Sequence, residues 1–303
     1  MSQSQGPILK LIDFVDDIVS VGPKFRQNMT ILVTYILFAA TGLSSWHHLS
    51  DKDFSFLLTF SGCTQTLGFF LLLHKIRVQR SVAGISSKTL QVYVFVFLFR
   101  LSSTMVKNGY LPVDRTGDWL YQASDVASLL LVLQILFFMH KKYADTYQGD
   151  LDTMPIFKIL PAFVLLGCSF HGHLNHSPFF DAMWTVGLWF DTVAMLPQLW
   201  MLVAKGGQVE ALTSNYVALI FASRVMAFWF WFTGMPELAP KDGGANLVGY
   251  LIVGAHAIQV LLSADFMYHY FVWQCQNSPC GSMVGCGSNL TGQNSMVLPT
   301  IDV

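Results

Sequence analysis

The chain has 303 residues, 53% of them hydrophobic and only 12% charged, with a mean hydropathy of +0.49 and a net charge of −1. Several apolar runs approach about 20 residues, the length that crosses a bilayer, which excludes a soluble globule and predicts an all-α polytopic membrane protein. A net charge this close to zero gives no basis for nucleic-acid binding, and five scattered cysteines make no disulfide framework.

Met1 to Gly6 carry no basic stretch, so no cleavable signal peptide is expected. Apolar residues at 8, 11, 12, 15, 18 and 19 follow the helical period, with Asp13, Asp16 and Asp17 off that stripe. This stretch is too short and too charged to span, so segment 1–27 reads as a cytosolic amphipathic helix on the membrane surface. Segment 28–53 adds a first span, about 29–46, and a luminal loop. Further spans are expected at about 54–73, 90–106, 119–139, 156–170, 179–203, 215–233 and 246–273, which makes eight, the last seven forming a domain over 54–273. Residues 274–303 are rich in Gly, Ser, Asn and Cys and lack Lys and Arg, as expected of a disordered cytosolic tail. Of the 17 Lys and Arg, only Lys52, Lys107, Arg115 and Lys241 fall on one side, two lie within spans, and the other eleven fall on the opposite side. The positive-inside rule then places both termini in the cytosol.

Two spans contain an internal repeat. Thr89 to Arg100 reads TLQVYVFVFLFR and Thr213 to Arg224 reads TSNYVALIFASR, 124 residues or four spans apart and so in the same orientation. This predicts two parallel three-helix units, spans two to four and six to eight, joined by span five, with a site between them near the midplane. Arg100 and Arg224 are the only cations expected inside the membrane. A buried guanidinium offers bidentate recognition of an anion, or pairs with a carboxylate for structure alone. The sixth span holds the acids Asp181 and Asp191, which are costly in a bilayer and need a cavity or a cation. Pro197 predicts a bend there. Asp181 and Trp184, three residues apart, share a helical face that suits a cationic guest, or an interfacial tryptophan beside a solvated acid. Asp191 lies deeper and is expected to balance an arginine. Asp265 in the last span has the same two readings. His171, His173 and His176 have metal-like spacing, but no Cys or acid completes a shell, so no metal is expected. No nucleophile, P-loop or zinc motif appears, which predicts neither an enzyme nor a cofactor.

Several blocks resemble the KDEL receptor (ER lumen protein-retaining receptor) family. FDTVAMLPQL from Phe190 to Leu199 is similar to its L-E-S-V-A-I-L-P-Q-L, and SVAGISSK from Ser81 to Lys88 to its S-x-x-G-I-S-x-K. Thr146-Tyr147 and Asp152-Thr153 match T-Y-D-x-x-x-D-T, with Gln148 where its first Asp stands. Glu210 to Tyr216 follows E-T-I-T-x-H-Y, and Gln259 with Asp265 keeps a Q-x(5)-D spacing. The resemblance runs from about Phe54 to Trp273. It implies seven spans of the PQ-loop and SWEET transporter architecture, preceded here by an extra helix. It also implies a receptor that binds C-terminal tetrapeptides of luminal ER proteins and returns them from Golgi to ER. Position by position, it implies that Arg100 meets the ligand carboxylate, that Asp181 and Trp184 face its basic first residue, and that Asp191, Arg224 and Trp231 complete the site. Leu58 and Gln65 stand where the family has an Arg and a pH-sensing His, and Ser103 where it has an acid three residues after the arginine. Gln65 cannot titrate, so pH sensing would fall to His256 or His176. The family's lysine tail for coat-protein retrieval is missing, although vesicle coat proteins stay candidate partners beside the lipid bilayer. The expected location is the ER and cis-Golgi membranes. The competing readings are a PQ-loop/SWEET-type small-solute transporter that has lost peptide binding, and a scaffold whose buried charges are structural.

Overall fold

The computed structural model describes residues 34–45, 47, 54, 56–107, 118–172, 177–204, 211–239 and 243–277. The amphipathic helix expected within 1–27, His173, His176 and the tail after residue 277 lie outside them. The chain divides into two units, Met1–Asp53 and Phe54–Val303. In the first, residues 34–45 form helix α1, in which the Thr41 hydroxyl donates to the Leu37 carbonyl at 2.7 Å.

Among its described residues, the second unit has only helices as regular elements. It contains α2 (Phe56–Gln79), α3 (Ser87–Thr104), α4 (Asp118–Phe137), α5 (Ile156–Ser169), α6 (Pro178–Val193), α7 (Leu196–Ala204), α8 (Ala211–Gly234) and α9 (Leu247–Asn277). A π-helical turn, Phe138–Lys142, extends α4. Among the described residues, five stretches are long and apolar enough to cross a membrane: Phe56–Gln79, Trp119–Lys142, Pro178–Ala204, Asn215–Leu238 and Leu247–Ala264. The 18-residue α3 and the 14-residue α5 lie among them. The chain is thus an all-α polytopic membrane protein.

The sixth predicted span is one membrane-length stretch, Pro178–Ala204, interrupted between α6 and α7. Pro197 has no N–H to give the Val193 carbonyl, so the ladder fails three and two residues before the proline, at Ala194 and Met195. Leu199 restarts it by donating to Met195 at 3.0 Å.

Helix packing gives the topology. α2 packs on α4 and α8, α3 on α4 and α6, and α9 on α6 and α8. Six helices therefore close a ring in the order α2, α4, α3, α6, α9, α8, with α5 outside on α6. Advancing three steps around the ring carries α2 to α6, α4 to α9 and α3 to α8. This is the arrangement the 124-residue repeat requires. α5 docks through Gly167, where any Cβ would stand 2.9 Å from the Val186 backbone nitrogen.

One end of the ring, which bears Lys75, Arg77, Arg80, Lys88, Lys141 and Lys142, is closed by a hydrogen-bonded knot. Gly84 turns the α2–α3 loop with φ of 77°, a left-handed conformation that disfavours a side chain. Gln198 of α7 is fully buried and grips that loop. Its Oε1 accepts from Ser86 N–H, its Nε2 donates to the Gly84 carbonyl, and its own N–H donates to Thr89 Oγ1, each at 2.9 Å. From the loop after α4, Asp152 accepts from Ser86 Oγ at 2.8 Å and from Lys88 N–H at 3.2 Å. Gly84 N–H donates to Gln148 Oε1 at 3.1 Å. Tyr147 also donates to Asp152, at 2.7 Å, and burial together with that bond pushes its phenol well above the ordinary range. Three of the blocks that carry the family resemblance, SVAGISSK, TYQGDLDT and LPQL, thus converge on one structural joint. Inward of it, Phe69, Tyr93, Phe97 and Tyr216 pack as an aromatic plug, with Phe69 centred 5.1 Å from Tyr93 and 5.6 Å from Tyr216.

Candidate functional site

Beyond the plug lies a layer of four charges. Arg100 of α3 stands eleven residues past Thr89, about 16 Å along the helix, and Arg224 occupies the equivalent place on α8. Arg100 is held by Asp125 of α4 in a two-bond fork. Its Nε donates to Oδ2 at 2.7 Å and its Nη2 to Oδ1 at 2.6 Å. Arg224 Nη2 donates to Asp191 Oδ1 of α6 at 2.6 Å. The other Asp191 oxygen lies 3.9 Å from Arg100 Nη1, so Asp191 touches both cations. The Arg100 guanidinium also lies over the rings of Phe97 and Tyr121, at 5.3 and 5.4 Å. Two arginines and two aspartates make the layer electrically neutral, as burial demands.

Asp191 thus balances an arginine, as expected from sequence. Asp125 was missed. It is an acid inside an otherwise apolar run, itself a sign of a buried partner. It sits seven residues into α4 from the end at which Arg100 is four residues from the close of α3, so matching depth would have found it. Ser103 stands where the resemblance places an acid, and Arg100 meets the carboxylate of Asp125 on the neighbouring helix.

Beside the charged layer is a cavity with room for about 30 Å³. Arg100, Asp191 and Arg224 line it together with Leu58, Gln65, Tyr121, Trp184, Trp231 and His256. Both arginines, one from each copy of the repeat, thus line one cavity together with Trp184 and Trp231. The two indoles meet edge to face, with centroids 5.5 Å apart, and Trp231 stacks on His256 at 6.3 Å. Gln259 donates to Thr192 Oγ1 at 3.3 Å, which turns its Oε1 toward His256 Nδ1 at 3.2 Å. Nδ1 is therefore the donor, and His256 Nε2, like Gln65 Nε2, is buried with no hydrogen-bond partner among the described residues. A second cavity of about 210 Å³ is lined by Phe170, His171, Thr185, Leu251 and Ile252, and Trp184 is common to both.

Asp181 differs from the solvated acid that was one reading of its place beside Trp184. It lies in the first turn of α6 with 0% exposure and lines neither cavity. A cationic guest would reach it only if that turn shifts.

A sequence model described as ER lumen protein retaining receptor matches residues 81–234. The chain is 29% identical over 219 residues to an ER lumen protein-retaining receptor of Dictyostelium discoideum, covering 71% of this chain and 93% of that protein. It is 30% identical over 207 residues to ER lumen protein-retaining receptor 2 of Homo sapiens, covering 66% of this chain and 85% of the relative. The same protein of Gallus gallus is also 30% identical over 207 residues.

Proposed function

Because the chain belongs to the ER lumen protein retaining receptor family, we propose that it binds the C-terminal tetrapeptides of luminal ER proteins and returns those proteins from Golgi to ER. The observation that carries this reading is a cavity lined by two guanidinium groups and walled by two tryptophans, inside a ring closed at its basic end. A peptide carboxylate would meet Arg100, with Arg224 and Asp191 holding the charge balance. The basic first residue of the signal would lie toward Trp184 and Asp181, and Trp231 would pack against the chain between.

At about 30 Å³ the cavity holds far less than four residues, so the ring must widen to admit the peptide. That widening falls to the end away from the knot. A small-solute transporter would have to open the knot as well, and the bonds to Gln198 and Asp152 weigh against that reading. The protein acts in ER and cis-Golgi membranes with the basic end and both termini in the cytosol, where vesicle coat proteins could engage it.

Capturing luminal proteins on the purified full chain and sequencing their C-termini tests the proposal. A shared terminal signal, lost when the peptide is amidated, is expected. Captured proteins with unrelated termini would reject it. Reporters on Met1 and Val303 should both be digested by protease added outside sealed microsomes, and protection of either one would refute the orientation.

A further inference from the structure

We propose that Asp125 is a resident carboxylate that occupies the guest's place on Arg100, so that a carboxylate guest docks by displacing it. The proposal rests on the receptor reading only for the identity of the guest. The geometry leaves one edge of the Arg100 guanidinium filled. Its Nε and Nη2 edge is forked onto Asp125 at 2.7 and 2.6 Å, and its Nη1 faces Asp191 at 3.9 Å. Its faces are taken by Phe97 and Tyr121. A guest carboxylate seeking the same bidentate fork finds it filled.

Charge leads to the same conclusion. Asp125, Asp191 and Arg224 are buried and the Arg100 side chain is only 13% exposed, so a carboxylate added to these four balanced charges would leave one uncompensated negative charge. Neutrality returns when Asp125 leaves the fork and takes up a proton from water, so that the guest carboxylate stands where its own stood. Asp125 thereby sets a threshold. A small organic acid offers nothing beyond the fork that Asp125 already makes, whereas a longer guest adds contacts along the tryptophan wall. Asp125 is then a specificity-determining residue, one that discriminates against solitary carboxylates.

The test uses the full chain in detergent as wild type, Asp125→Asn, and Asp125→Asn with Arg100→Gln. Formate is the probe for a bare carboxylate, and a peptide ending Lys-Asp-Glu-Leu, as free acid or amide, is the probe for a guest. Asp125→Asn leaves Arg100 without the carboxylate of its fork and the layer one negative charge short, so it should melt below wild type in chloride and recover in formate. Wild type and the doubly neutral variant should be indifferent to formate. The free-acid peptide should bind Asp125→Asn about tenfold more tightly than wild type, and the amide no more tightly. Indifference of Asp125→Asn to formate, or its failure to fold in both buffers, overturns the proposal, because an outside carboxylate then does not serve Arg100. Rescue by formate with no peptide binding to any variant keeps the carboxylate site and rejects the peptide receptor. Peptide binding to wild type without formate rescue does the reverse.

Discussion

Arg100 combines a point charge with a planar fork, and the two can be separated. Arg100→Lys keeps the cation, and with it pairing to Asp125 and membrane insertion, but removes bidentate recognition. Free-acid peptide should bind this variant at least about tenfold more weakly, a loss of about 1.4 kcal/mol. Amidating the peptide should cost about as much, and the two losses should not add. Titration of both peptides against both proteins gives the cycle, and full additivity would place the guest carboxylate away from Arg100. His256 supports a second prediction. Among the described residues it is the one imidazole that lines the smaller cavity, with Nδ1 committed to Gln259 and Nε2 without a hydrogen-bond partner. Its protonation would add a third cation to a cavity that already holds Arg100 and Arg224. Glutamine keeps the polarity and cannot titrate. An incoming peptide carboxylate would offset the imidazolium charge, so any rise in peptide affinity between about pH 7.5 and about pH 5.5 should be absent in His256→Gln. A steep acid preference surviving that change would assign the sensor to another group.

Among the elements, the joint between α7 and the α2–α3 loop has the clearest energetic consequence. Gln198 satisfies the Ser86 amide and the Gly84 carbonyl inside the protein, and its backbone amide meets Thr89. Gln198→Ala leaves two buried backbone groups unpaired, each costing about 1–3 kcal/mol. A loss of about 3 kcal/mol in denaturant unfolding is expected, with peptide affinity of the folded fraction unchanged because the site lies on the far side of the aromatic plug. A drop in affinity at unchanged stability would mean instead that the joint moves during binding. The elements themselves were legible from sequence because apolar length is a strong signal. The two arginines and their spacing were legible because a cation in an apolar run has few explanations. The break at Ala194 was displaced from its cause, since a proline disturbs the carbonyl four residues before it rather than its own place. The knot was not legible at all. Its partners lie on the α2–α3 loop, α7 and the loop after α4, and no local pattern announces bonds between residues more than 60 apart.

At the scale of the molecule, every helix of the ring and every residue of the charged layer falls within Phe54–Val303. A chain that begins at Phe54 should therefore fold and bind free-acid peptide within about twofold of the full chain, a difference of about 0.4 kcal/mol. Fluorescence or calorimetric titration of the two chains side by side measures this. A larger loss would show that residues before Phe54 complete the site. The repeat argument worked at this scale because the ring is closed, so two equivalent helices necessarily present their arginines to a common centre.

The acids do not share that equivalence. Shifting Asp125 by the repeat offset of 124 residues reaches Gly249 of α9, and shifting Asp191 back by the same offset reaches Leu67 of α2. The ring thus carries two matched cations and two mismatched anions. A centre with full twofold balance would accept an elongated guest equally well either way round. Here the halves differ in where their negative charge stands, and the two ways round differ in energy. A peptide has a head and a tail, and this imbalance gives the cavity the means to tell one from the other.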